Sequence, residues 1–82
     1  MSYYVYMLKS IEKKPVTYVG YTIDLKNRIN LHNKGKGAKF TRGRKWKLIY
    51  KEEWASKNKA ISREYYIKKN RKIRNEIKYN IK

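Results

Sequence analysis

Apolar and polar positions along residues 3–10, YYVYMLKS, sort into two faces of a strand. Tyr4, Tyr6 and Leu8 fall on one face and Tyr3, Val5 and Met7 on the other. The aromatic and β-branched content agrees with that reading. IEKKP at 11–15 holds the chain's only proline and reads as a charged turn. VTYVG at 16–20 follows as a shorter strand, and so short a gap favours an antiparallel hairpin. The period then changes. In LKNRINLHNK, Leu25 and Ile29 share a helix face, as do Arg28 and His32 one turn apart. Thr22 or Asp24 can cap that helix, and Gly35 ends it. KLIYKEEW at 47–54 predicts a third strand. Ser56 caps a helix running to Lys69, and Asn70 makes a break. A last helix from Lys72 sets Ile73, Ile77 and Ile81 in one apolar stripe. The order β-β-α-β-α-α predicts an α+β fold, with helices flanking a small three-stranded antiparallel sheet.

With 82 residues, the chain is long enough for one domain with a thin core, to which the tyrosines and tryptophans must contribute. It shows neither an internal repeat nor a linker. There is no cysteine and a single histidine, which excludes a disulfide framework, a thiolate zinc site and a multi-histidine cluster. No apolar run approaches the roughly 20 residues that span a bilayer. The start, MSYYVYMLKS, lacks the pattern of a secretion signal. The expectation is a soluble, cytoplasmic protein with no membrane partner.

Charge changes the picture most. A formal net charge of +17 points to a polyanion, above all nucleic acid, with an anionic membrane surface a distant second. The richness in Lys, Asn, Ile and Tyr is also what an AT-rich genome produces. It does not account for the scarcity of acids, none of which lies between Asp24 and Glu52. The stretch 34–47, KGKGAKFTRGRKWK, carries three glycines and seven basic residues. It is expected to be a mobile loop until something anionic orders it. Lys36, Lys39, Arg42, Arg44, Lys45 and Lys47 are candidates for phosphate contact. Phe40 and Trp46, interleaved among them, offer rings for stacking on bases, although Trp46 fits better as a core residue.

Three further positions can carry chemistry. Arg28 suits a multidentate grip on phosphate, set against an ordinary surface arginine. His32 can act as acid, base or donor beside a phosphate, although a lone histidine is more often structural. Glu64 is the only acid between Glu53 and Glu76. It can pair with Lys68 one turn on, or bind a divalent cation whose other ligands are water and phosphate oxygens. No Walker-type loop, zinc spacing or serine–histidine–carboxylate layout is visible.

Taken in order, YVY at 4–6, YVG at 18–20, Arg28, His32 and Glu64 resemble the GIY-YIG nuclease superfamily. The resemblance covers the whole chain, 1–82, and so implies a standalone domain. HNKGKGAKFTRGRKWKLIY and REYYIKK are similar to a small bacterial group of isolated GIY-YIG proteins. They also resemble the nuclease domain of endonucleases that cut branched DNA. The resemblance implies that Tyr6 and Tyr18 flank the scissile phosphate and that one of them helps activate a metal-bound water. It implies that Arg28 binds the phosphate, that His32 takes up the nucleophile's proton, and that Glu64 holds Mg2+ or Mn2+. Which of the tyrosines or His32 is the base stays open. Departures exist. Tyr4 replaces the first glycine of the founding tripeptide, and Tyr21 stands where some nucleases carry lysine. Neither Asn70 nor Asn75 aligns with the late asparagine of many relatives. No second domain for substrate recognition is visible, so weak or partner-dependent activity is expected. The expected function is metal-dependent hydrolysis of DNA, including branched or damaged DNA, in DNA repair. The alternative is a non-catalytic module that binds DNA or RNA. The oligomeric state stays open.

Overall fold

Tyr3–Ser10 form strand β1, and Thr17–Thr22 return beside it as β2. In the computed structural model, which describes residues 1–80, helix α1 (Leu25–Asn33) follows. Strand β3 (Trp46–Trp54), helix α2 (Lys57–Lys69) and helix α3 (Arg71–Asn80) complete the chain. The element order is the expected β-β-α-β-α-α. The three strands form one antiparallel sheet in the order β2-β1-β3. The most apolar strand takes the centre, and Val5, Tyr6, Met7 and Leu8 are all buried. Among the described residues no helix is long and apolar enough to cross a membrane.

Side-chain caps set the helix starts. Asp24, rather than Thr22, accepts the Asn27 amide at 3.2 Å, and Ser56 accepts that of Lys59 at 3.4 Å. The Asn70 side chain accepts the Ile73 amide at 3.1 Å, so the residue that ends α2 also starts α3. Gly35, at φ 78°, takes the left-handed conformation that stops α1. Ile77 packs against the core; Ile81, its expected partner in the stripe, lies outside the described residues.

Two strands extend beyond expectation, and α3 begins one residue early, at Arg71. β2 runs to Thr22 because Tyr21 and Thr22 still find partners in Val5 and Tyr4. β3 begins at Trp46, which pairs with Ser10. A register shift in the β1–β3 ladder, between Met7 and Leu8, leaves Ile49 as an extra residue on β3. Strict alternation puts Trp46 and Tyr50 on the same face; the bulge separates them. Trp46 joins Tyr6 and Leu8 under α1, together with Tyr18, Leu25 and Ile29. Tyr50 and Trp54 instead pack with Val5, Met7, Val19 and Ile49 against Ala60 and Ile67 of α2. The sheet is thus covered on both faces, and the tyrosine pair belongs to the α1 face.

Candidate active site

Register brings Tyr6 and Tyr18 together. Tyr6 is opposite Gly20 and Tyr18 opposite Leu8, so the two tyrosines are diagonal neighbours on one face. Their ring centroids are 6.4 Å apart. Gly20 makes this possible. A Cβ there would sit 2.6 Å from the Tyr6 hydroxyl and 3.1 Å from the Tyr18 ring. The second tripeptide ends in glycine because the Tyr6 side chain lies across that position. Tyr6 is buried, and burial pushes its hydroxyl pKa up to about 12. Arg28 opposes the shift, while the charges of Tyr18 and Glu64 add to it.

The α1 periodicity turns His32 inward, where it is fully buried. Its Nε2 lies 2.8 Å from the Tyr6 hydroxyl, and its Nδ1 lies 2.9 Å from the Thr41 hydroxyl. The His32 ring is also 4.9 Å from that of Tyr18. Gly37 gives the imidazole its room, since a Cβ there would come within 2.3 Å of Nδ1. Desolvation, and then the Arg28 charge, hold the His32 pKa below the ordinary imidazole value. The ring is therefore neutral near pH 7 and can take up a proton.

Arg28, one turn before His32, faces the same pair. Its guanidinium donates to the Gly37 carbonyl at 3.2 Å. Its Nε is buried and has no hydrogen-bond partner; among the described residues the only other such side-chain atom is Arg74 Nε. None of the ion pairs among the described residues includes Arg28. It also lines an open cleft with Tyr3, Tyr21, Thr22 and Lys57. A half-buried cation with a free donor and no carboxylate is prepared for an anion.

Glu64 approaches from α2. Its carboxylate accepts from Lys68 at 3.3 Å, and the Lys68 ammonium in turn lies 6.0 Å from the Tyr18 ring. The expected helical pair is therefore present, close to the tyrosines. Among the described residues no three His, Cys, Asp or Glu side chains converge on a metal-sized point. The available donor is one carboxylate. That set suits a hard divalent cation that keeps its waters and takes phosphate oxygens, and it does not suit zinc.

The basic segment is not the free loop that was expected. Asn33 Oδ1 accepts the Trp46 amide at 2.6 Å, and the Trp46 indole donates to the Thr41 carbonyl at 3.0 Å. With Arg28 on Gly37 and His32 on Thr41, the loop is tied to α1 along its length. The physical reason is that its small residues, Gly37 and Thr41, sit against the imidazole, while its cations point outward. Lys36, Lys39, Arg42, Lys45 and Lys47 are exposed. Arg44 is half-committed, with Nε 3.2 Å from Glu12 and its guanidinium 5.6 Å from the Phe40 ring centroid. Trp46 is buried, as expected for a core residue. Phe40 is 52% exposed and stacks on Tyr18 with centroids 6.3 Å apart.

Sequence reasoning missed Thr41, Gly37 and the ion cluster around Glu52. Nothing in GAKFTRGR distinguishes a buried threonine from a solvated one. The spacing of Tyr50, Glu52 and Trp54 on one strand face was a usable signal.

A family profile described as the GIY-YIG catalytic domain matches residues 2–80. A UPF0213 protein of Clostridium perfringens is 54% identical over 67 residues, covering 80% of this chain and 70% of that protein. One from Streptococcus pneumoniae is 47% identical over 60 residues, covering 72% of this chain and 61%, less than two thirds, of its own length. The solution NMR structure of a UPF0213 protein from Bacillus halodurans superposes with a TM-score of 0.56 at 39% identity. That match covers 94% of this chain and 82% of the other.

Proposed function

The chain belongs to the GIY-YIG family, whose domain implies nuclease-type activity and nucleic-acid binding, and from that premise we propose that it is a metal-dependent endonuclease hydrolysing DNA. Branched or damaged DNA is the proposed substrate class, with a protein partner supplying specificity. A cytoplasmic location and a part in DNA repair go with that reading. The observation that carries it is Arg28, a half-buried cation with an unpartnered Nε, beside the Tyr6–His32 pair.

A phosphodiester seated against Arg28 gains donors where negative charge grows on its oxygens. Tyr6 and Tyr18 flank it. A water oriented by the Tyr6 hydroxyl attacks phosphorus. One P–O bond forms, and the bond to the leaving sugar oxygen breaks. The water's proton passes to the Tyr6–His32 pair, where a neutral imidazole can hold it. The leaving oxygen takes a proton from solvent. Glu64 is the residue that would hold Mg2+ or Mn2+, which when bound would supply Lewis-acid stabilisation of the developing charge. Lys36, Lys39, Arg42, Arg44, Lys45 and Lys47 neutralise neighbouring phosphates.

The test uses purified protein on single-stranded, duplex and branched DNA with Mg2+ or Mn2+. Cleavage is expected, and it is expected to vanish with chelator or in Glu64→Ala. Cleavage by Glu64→Ala at the wild-type rate would remove the metal assignment. The exposed loop cations favour one second reading, a non-catalytic nucleic-acid-binding module. That reading predicts binding that weakens steeply with salt, and no cleavage of any substrate.

A further inference from the structure

We propose that Thr41 is a positioning residue of this site, fixing His32 in the tautomer that carries its proton on Nδ1 so that Tyr6 presents oxygen lone pairs, not its proton, to the reacting water. The functional half rests on the nuclease reading above; the tautomer rests on the hydrogen-bond geometry of a neutral ring.

Tyr6 Oη and His32 Nε2 are 2.8 Å apart, His32 Nδ1 and Thr41 Oγ1 2.9 Å, and Thr41 Oγ1 and the Ala38 carbonyl oxygen 3.0 Å. Electronegative atoms this close, two of the pairs buried and the third part-buried, are held by a proton between them. The Ala38 carbonyl has none to give, so the single hydroxyl proton of Thr41 lies there. The Thr41 oxygen is then an acceptor, and Nδ1 must donate to it. A neutral imidazole has one N–H. Nε2 is therefore bare, and Tyr6 donates to it. Neutral Tyr6, His32 and Thr41 supply one proton for each of the contacts, in one direction only.

Thr41 is built to hold this arrangement. It is fully buried, so its hydroxyl cannot turn to solvent. Its amide donates to the same Ala38 carbonyl at 3.2 Å, and its own carbonyl takes the Trp46 indole proton at 3.0 Å. Gly37 leaves the ring the space to reach it. The reversed chain, with Thr41 donating to Nδ1, leaves two oxygens at 3.0 Å with no proton between them. It also places a proton on Nε2, forces Tyr6 to accept it, and turns the Tyr6 proton out towards substrate. A hydroxyl two steps from the reaction thus decides whether Tyr6 receives the water's proton or offers its own. In the favoured direction, water gives its proton to the Tyr6 oxygen while the Tyr6 proton moves to Nε2, leaving hydroxide and an imidazolium.

Long-range 1H–15N correlation of the histidine ring in the wild-type protein, near neutral pH and without DNA or metal, reads the tautomer directly. A protonated Nδ1 with a bare Nε2 is expected; a proton on Nε2 overturns the proposal. Thr41→Val keeps the shape and removes the hydroxyl. It is expected to mix the tautomers and slow single-turnover cleavage about 10–100-fold with little change in KM, whereas Thr41→Ser keeps both the tautomer and the rate near wild type. Should Thr41→Val fail to fold, the wild-type tautomer and Thr41→Ser still decide. A folded Thr41→Val with unchanged tautomer and rate overturns the positioning role. A wild-type Nδ1–H tautomer in a protein that cuts no DNA supports the geometry and defeats the nuclease reading instead.

Discussion

On the α2 face of the sheet, Arg63 donates to Glu52 through Nε at 2.9 Å and through a terminal nitrogen at 2.5 Å. The same carboxylate accepts from the Tyr50 hydroxyl and from the Trp54 indole. On the α1 face, Arg28 lies beside Tyr6 and His32, and among the described residues it has no acid paired with it and its Nε has no partner. Both faces combine an arginine with aromatic groups, but only the first closes its charges. The Arg63 bonds, foremost, and the Tyr50 and Trp54 bonds hold the Glu52 carboxyl down at about 2, against the opposing effect of burial. A closed cluster of this kind holds helix to strand. An open one holds a desolvated cation ready, at some expense of stability, for a negative group that arrives later.

Breaking each arginine is the strongest test of that contrast. Arg63→Ala leaves Glu52 largely buried without its partner and is expected to destabilise the fold by about 2–3 kcal/mol, at the low end because Arg63 is partly exposed. Arg28→Ala is expected to change stability by less than about 1 kcal/mol. Urea unfolding of the two variants measures the difference. Equal losses would erase the distinction between scaffold and site.

Acid separates the faces more gently. Glu52 has a depressed pKa, so its contribution is complete above its ordinary value of 4.5 and is lost as pH falls towards 2. His32 is held neutral, with a pKa below 6.5, so the stability it lends is complete above that value and declines as pH falls beneath it. Stability measured from pH 7.5 to 3 should therefore fall in two stages. His32→Gln should remove the upper stage and Glu52→Gln the lower. A single stage untouched by His32→Gln would contradict the buried, neutral imidazole.

How much of this was legible depended on how local the cause was. The Tyr6 and Tyr18 faces follow from strand alternation, and the Arg28–His32 pairing follows from helical spacing. Asp24, Ser56 and Asn70 were legible as caps or breaks because capping is a nearest-neighbour effect. The bulge at Ile49 was not, since KLIYKEEW suits either register until β1 is laid against it. Thr41 and Gly37 matter only because the loop folds back onto α1, and no periodicity describes that return. The loop's composition suggested mobility; its anchors are a few contacts at Gly37, Thr41 and Trp46, made only once the loop lies against α1. Glu64 stood out as a lone acid, but its nearness to Tyr18 through Lys68 depends on how α2 crosses the sheet.

The proposed role of Arg28 is to supply the cationic half of a phosphodiester-binding site. Single-turnover cleavage of labelled DNA in Mg2+ or Mn2+ by wild type, Arg28→Ala and Arg63→Ala tests it most directly. Arg28→Ala is expected to slow cleavage about 100–1000-fold while its fold persists, and Arg63→Ala to cut at the wild-type rate per folded molecule. Cleavage by Arg28→Ala as fast as by wild type would contradict it.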